Sequence, residues 1–236
     1  MRIGLIQTRG IGDIVIALPI AAWHLRQGHE VLWPVDAQWL PFLQAAAPQV
    51  SFLPVDAALR GTLAYMLDEP RRLLQAQGCD KIVSLYSYVN GRADLVEPRL
   101  ASSLKFDEYK YAVAGVPFAE KWALQLVRDR PAEQRLIERL RLGGPYAVVH
   151  DQGSNFRFDI QIPAAVSAQL QVVRIEPLTA NPFDWIGVLE GASMLAMIDS
   201  CFSNLVEQMD LGRNRHFFLR SAVGFTPVFR NAWTFY

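Results

Sequence analysis

The sequence predicts an α/β chain built as two Rossmann-like blocks, each a parallel sheet wound with helices. Two observations carry this. Strand and helix signals alternate from Arg2 to Leu104, and they alternate again from Tyr146 to Leu219. Between the blocks the composition changes: Asp129, Arg130 and Pro131 lead a charged helix, Ala132 to Arg141, which ends in Gly143-Gly144-Pro145. Alternation of this kind builds parallel sheets whose ligand crevice lies at the carboxyl ends of the strands. The expected division is a first domain over 1–128, a connection over 129–145 and a second domain over 146–236, with a cleft between the domains.

The elements follow in order. Arg2 to Gln7 reads as a buried strand, and Ile14, Ala17, Leu18, Ala21, Ala22 and Leu25 recur at helical spacing after it. Glu30 to Trp33 is a second strand, stopped by Pro34. Ala37 to Ala47 is a short helix and Val50 to Leu53 a third strand. Ala57 to Gln77 is a long helical candidate that Pro70 breaks or kinks, and Gly78 is its C-cap. Lys81 to Leu85 is a fourth strand, and Arg92 to Leu104 and Phe118 to Val127 read as helices. In the second block the strands are Tyr146–His150, Gln171–Ile175, Ser193–Ile198 and His216–Leu219. The helices there are Ile160–Gln169, Pro182–Gly191 with Asn181 as N-cap, and Phe202–Met209.

Composition excludes several classes. Hydrophobic residues make up 51% of the 236, ample for a core. The 23 basic residues equal the 23 acidic ones, so no global field draws nucleic acid or an acidic membrane. The start does not read as a signal peptide, and no stretch is apolar for the length a bilayer needs. Cys79 and Cys201 are too far apart in sequence to suggest a disulfide framework, and a cytoplasmic protein is expected. The four histidines show no ligand spacing, and Asp-x-Asp is absent, so no metal is expected to bridge a diphosphate. There is no Gly-x-x-x-x-Gly-Lys-Ser/Thr, and the first turn lacks the third glycine of a dinucleotide fingerprint.

That first turn, Gly10-Ile11-Gly12-Asp13, joins the opening strand to its helix and faces the crevice. A phosphate cradle wants backbone N–H groups and positive charge, so Asp13 points instead to a carboxylate that takes a proton from a substrate. The plainer reading of Asp13 is a helix cap.

Three motifs in order resemble the lipopolysaccharide heptosyltransferase family of glycosyltransferases. Gly10-Ile-Gly12-Asp13 followed by Ile14-Val-Ile-Ala-Leu18-Pro19 is similar to that family's opening. His150-Asp151-Gln152-Gly153-Ser154-Asn155-Phe156-Arg157 resembles its strand, Gly-Ser loop and basic residue. Met197-Ile198-Asp199-Ser200-Cys201-Phe202-Ser203-Asn204-Leu205 resembles its apolar strand and Asp-Thr/Ser-Gly-x-x-His-Leu. The departures are Cys201 for the family's Gly, Asn204 for its His and Arg157 for its Lys, in a chain shorter than a typical member.

The resemblance implies the glycosyltransferase-B (GT-B) fold and transfer of a sugar from a nucleotide-sugar donor to an acceptor hydroxyl, inverting and metal-independent, with no cofactor. It makes Asp13 the general base, in a turn formed with Gly10 and Gly12. The donor diphosphate then falls to Gly153, Ser154, Asn155 and Arg157 and to Asp199, Ser200, Cys201 and Asn204, where a helix N-terminus offers free N–H groups. Glu176 sits where a carboxylate accepts bonds from a ribose. Each has a plainer reading: a capped strand–helix turn for Asp199-Ser200, a solvated arginine for Arg157, a surface acid before Pro177 for Glu176. Trp185 is expected to pack a helix on the sheet. Arg92, Arg99 and Lys105 either hold an acidic acceptor or line a solvated helix face. The acceptor stays open: saccharide, small molecule, protein or nucleobase. Two alternatives remain, a non-catalytic nucleotide-sugar-binding protein of the same fold and an epimerase- or phosphorylase-like enzyme.

Overall fold

A computed structural model describes residues 1–89, 96–153, 156–220 and 223–236. The chain divides into two compact units, Met1–Val127 and Arg128–Tyr236. Each holds one all-parallel sheet.

In the first unit the strands are β1 (Arg2–Ile6), β2 (Glu30–Asp36), β3 (Ser51–Val55) and β4 (Lys81–Ser84), in spatial order β3-β2-β1-β4. The helices are α1 (Ile11–Arg26), α2 (Leu40–Ala46), α3 (Glu69–Ala76), α4 (Pro98–Ser103) and α5 (Phe106–Ala114). The apolar run of β1 is buried because helices cover the sheet. α3 approaches β1 so closely that a Cβ on Gly4 would lie 2.7 Å from the Leu74 side chain. Leu74 joins Ile6, Leu32, Leu67 and Tyr86 in one apolar cluster.

Pro34 does not stop β2. The register of β2 with β1 ends at Gly4↔Leu32, and beyond it Pro34 pairs only toward β3, so its missing N–H breaks no ladder with β1. The long helix expected over 57–77 is divided. A π-helical stretch, Ala64–Asp68, precedes α3, and Pro70 occupies the first turn of α3. A proline cannot bond back to the carbonyl four residues earlier, and the wider π turn accommodates the ring. Phe118–Ala123 is a 3₁₀ helix rather than part of an α-helix. In the described part of the helix expected over 92–104 the helical residues are those of α4; Arg92 lies outside the described residues. α5 was not expected from the sequence.

The second unit runs α6 (Arg130–Arg139), β5 (Tyr146–His150), α7 (Ala164–Ser167), β6 (Gln171–Arg174), α8 (Ile186–Glu190), β7 (Met194–Ile198), α9 (Cys201–Met209), β8 (Arg215–Phe218) and β9 (Thr234–Phe235), in sheet order β6-β5-β7-β8-β9. The segment expected as a connection is part of this unit. α6 packs on α8. Arg128 ties them by bonds to Glu133 at 2.6 and 2.7 Å and to Glu190 at 2.9 and 3.2 Å. A Cβ on Gly187 would lie 2.9 Å from a Glu133 carboxylate oxygen, so that glycine permits the approach. The helix expected over 160–169 shrinks to α7 because Pro163 disfavours helix at the residue before it. No helix among the described residues is long and apolar enough to cross a membrane.

Candidate functional site

At the carboxyl end of β1, Gly10 adopts a left-handed conformation (φ 76°) and serves as the N-cap of α1. Asp13 makes no capping bond there. Its Oδ1 instead lies 3.0 Å from Nζ of Lys110, a lysine on α5 whose side chain is 3% exposed, while the Asp13 side chain is 36% exposed. A Cβ on Gly10 would stand 2.5 Å from Asp13 Oδ2, so only glycine lets the carboxylate lie over the turn. Gly12 is half-buried in the first turn of α1.

The chain entering this turn is tied down from below. Thr8 N–H donates to the Tyr86 hydroxyl at 3.0 Å, and the Thr8 hydroxyl donates to Tyr65 O at 3.0 Å. Asp36, at the end of β2, accepts from Tyr65 Oη at 2.6 Å and from Arg60 at 2.6 and 2.7 Å. Burial pushes the Asp36 carboxyl up, but the bonds from Arg60, Tyr65 and the Gln38 amide outweigh it and hold it below the ordinary range. Arg99 is exposed on α4, and Lys105 heads α5.

At the carboxyl edge of the second sheet lies a pocket of about 310 Å³. Its lining brings together Gly153, after β5, and Glu176, after β6, with Trp185, Phe202 and His150 as aromatic walls. Glu176 is exposed at this pocket, and Trp185, 2% exposed, packs as the sequence predicts. Gly153 packs under the Phe156 ring, which would have to shift to admit a Cβ, 2.1 Å away. Gln152 bridges to Arg157 as an antiparallel pair, which turns the loop back on itself. Ser154 and Asn155 lie outside the described residues.

The cations of this edge sit outward over less exposed acids. Arg157 and Arg174 both approach Asp151, Arg157 Nε at 3.4 Å, and their side chains are 63% and 34% exposed against 5% for Asp151. Arg220 Nη2 donates to Asp199 Oδ2 at 3.1 Å, and its guanidinium lies 5.6 Å from the centre of the Phe156 ring. At the start of α9 the Ser200 hydroxyl accepts from Ser203 N–H at 3.4 Å, and Ser200 N–H donates to Ser203 Oγ at 2.9 Å. Ser200 is therefore occupied in capping the helix. Burial pushes the Cys201 thiol up to about 12, so it is neutral. Asn204 is buried one turn further along α9.

His150 ends β5 with 7% of its surface exposed. Its ring meets Phe202 edge-on at 4.8 Å. Burial lowers its pKa to about 4 against the opposing charge of Asp151, so the ring is neutral at pH 7. Lys110, Arg174 and Arg220 are the groups that sequence reasoning missed. Among the described residues, no group of three or more His, Cys, Asp or Glu is placed to hold a metal.

No protein-family model matches the chain, and no curated protein sequence matches it. Solved structures do. The Escherichia coli heptosyltransferase WaaC, solved with ADP, superposes with a TM-score of 0.61 at 16% identity, over 100% of this chain and 92% of that one. A glycosyl transferase of family 9 from Veillonella parvula gives 0.65 at 14% identity, over 100% and 86%. The iron-containing dodecameric glycosyltransferase TibC of enterotoxigenic E. coli gives 0.56 at 15% identity, over 99% of this chain and 60% of that one. At these identities the likeness establishes the fold: the chain has the α/β, GT-B-like fold of heptosyltransferases from end to end.

Proposed function

We propose that this chain is a glycosyltransferase that moves a sugar from a nucleotide-sugar donor to an acceptor hydroxyl, with inversion and without a metal. One observation carries the reading. In a fold shared along the whole chain with glycosyltransferases, Asp13 stands at the carboxyl end of the first strand with one carboxylate oxygen tied down and its side chain open to solvent.

In this reading the first unit holds the acceptor and the second the donor. The acceptor oxygen attacks the anomeric carbon as the bond from that carbon to the diphosphate oxygen breaks. Asp13 takes the hydroxyl proton, and the nucleoside diphosphate leaves with the bonding pair. The pocket beside β5 and β6 receives the nucleoside, with Glu176 accepting from ribose hydroxyls and Trp185 and Phe202 supplying apolar walls. The diphosphate lies against Gly153, Arg157 and the N-terminus of α9, near Asp199 to Asn204, where N–H dipoles and guanidinium charge offset the leaving group. Ser154 and Asn155, next to Gly153 in sequence, share this assignment. Arginine and helix dipoles take the part that an Asp-x-Asp–bound cation plays elsewhere, and the sequence contains no Asp-x-Asp.

The neighbours crystallised with ADP and ADP-heptoses make ADP-heptose the first donor to try. The test incubates the chain with a panel of nucleotide sugars and reads melting temperature and nucleoside diphosphate release. A true donor at 100 times its Kd adds about 2.7 kcal/mol to stability. Release is expected from the wild type and lost in Asp13→Asn, with stabilisation retained in both. If no nucleotide sugar stabilises the protein, the reading fails. Cys201, a side chain where the resembling family has glycine, favours the binding-only alternative, and stabilisation without release from the wild type would establish it.

A further inference from the structure

Lys110 is buried at a position where the sequence supplies no apparent reason for an ammonium. Its Nζ lies 2.8 Å from Gln7 Oε1, 3.2 Å from Leu85 O and 3.0 Å from Asp13 Oδ1. Of the three N–H donors of the ammonium, Gln7 Oε1 and Leu85 O engage two, and Asp13 Oδ1 is its ion-pair partner. The Gln7 side chain that meets it is fixed in turn, since its Nε2 donates to Arg9 O at 2.8 Å. Burying a charge pair is a poor route to stability, because apolar side chains of similar volume commonly do as well or better. The pair needs another reason.

We infer that Lys110 is the positioning residue of Asp13. It holds Oδ1 from inside the first unit and so presents Oδ2, over the bare face of Gly10, as the atom that accepts the acceptor's proton. This deepens the transferase reading and rests on it. The new O–H bond forms on Oδ2, the acceptor O–H bond breaks, and Lys110 keeps its three protons throughout. Three separate segments set the geometry: the end of β1 through Gln7, the end of β4 through Leu85, and α5 itself. Asp13 is thus aimed by the sheet, not by its own helix.

The test is a double-mutant cycle on nucleoside diphosphate release, with Asp13→Asn, Lys110→Met and the double variant, beside a crystal structure of Lys110→Met. Misplacing a reacting group by about 1 Å costs on the order of 100-fold. Lys110→Met is expected to lower kcat by roughly 10–100-fold with donor KM within about two-fold. In the Asp13→Asn background the same change should cost less than about two-fold, because the residue it acts through is already disabled. Should the Met variant fail to fold, Lys110→Gln, which keeps a donor without the charge, takes its place. Full kcat in a folded Lys110 variant overturns the inference. So do losses that multiply in the double variant, the pattern of a merely structural role. An Asp13 side chain unmoved in the variant's crystal structure overturns it whatever the turnover. A displaced Asp13 in a protein whose wild type releases nothing supports the positioning and overturns the transferase reading instead.

Discussion

The carboxyl edges of the two sheets carry opposite arrangements of the same ion pair. In the first unit, beside β1, the acid faces solvent and the cation is inside: Asp13 is 36% exposed and Lys110 3%. In the second unit the acids are inside and the cations face out, with Asp151 at 5% under Arg157 and Arg174 and Asp199 at 14% under Arg220. Each edge exposes one sign of charge and shields the other. A proton acceptor and a phosphate holder need this difference. Arg60 over buried Asp36 is the exception, a pair of the second kind at the end of β2.

The largest way to break the comparison is to remove charge from the outward acid. Asp13→Asn keeps the size of the side chain and removes basicity. Turnover is expected to fall by about 10²–10⁴-fold. The melting temperature should fall as well, because the buried Lys110 ammonium loses its carboxylate partner, so turnover is read well below the transition. Undiminished turnover would return Asp13 to an ordinary surface acid. Gly10→Ala comes next. It forces a Cβ into a left-handed residue and 2.5 Å from Asp13 Oδ2. Turnover should drop by roughly 100-fold through displacement of the carboxylate, with about 1 kcal/mol of stability lost to backbone strain. Denaturation and rate measurements on one preparation separate the two effects.

Arg174→Met tests the inverted pattern of the second unit. It leaves Asp151 buried with Arg157 at 3.4 Å as its remaining ion-pair partner. About 1–3 kcal/mol of stability should go, the cost of a buried acceptor losing its main donor. A loss under about 0.5 kcal/mol, the scale of an ordinary surface change, would make the pair a surface contact.

The smallest effect sharpens the pocket. Burial holds His150 to a pKa of about 4, against 6.5 when unfolded, so on acidification the unfolded chain binds this proton first. Stability from this group is whole above pH 6.5 and falls as pH drops toward 4, by about 2 kcal/mol at pH 5. His150→Phe should remove that share of the difference between denaturant midpoints at pH 7 and pH 5. An unchanged pH slope would place the titration elsewhere.

Much of the fold was legible. The turn at Gly10, the strands on either side of it and the β5 and β7 motifs are local patterns of apolar runs and small polar residues, and each edge site lies on one. α5 was not legible. Tyr109, Tyr111 and Val113 are weak helix formers, and Lys105 stands where an N-cap of Ser, Asp or Asn would announce the start. Missing that helix meant missing Lys110, whose partner Gln7 is 103 residues away. The loop after β5 was only partly recoverable. Gly153 announces a turn, but the buried acid beneath Arg157 and Arg174 follows from how β5 and β6 pair, which no spacing records. Pro34 misled for a similar reason: whether a proline ends a strand depends on which neighbour its nitrogen faces.

The burial of Lys110 also decides how the molecule responds to its electrolyte. Mobile ions screen exposed charges beyond about 10 Å at 0.1 M salt, and they reach Arg157 and Arg220 freely. They do not enter the interior where the Lys110 ammonium sits. Added salt should therefore weaken the capture of a phosphate-bearing donor while leaving the aim of Asp13 untouched. Ionic strength then acts on KM and spares kcat, so that a salt titration separates substrate capture from proton transfer without a single substitution.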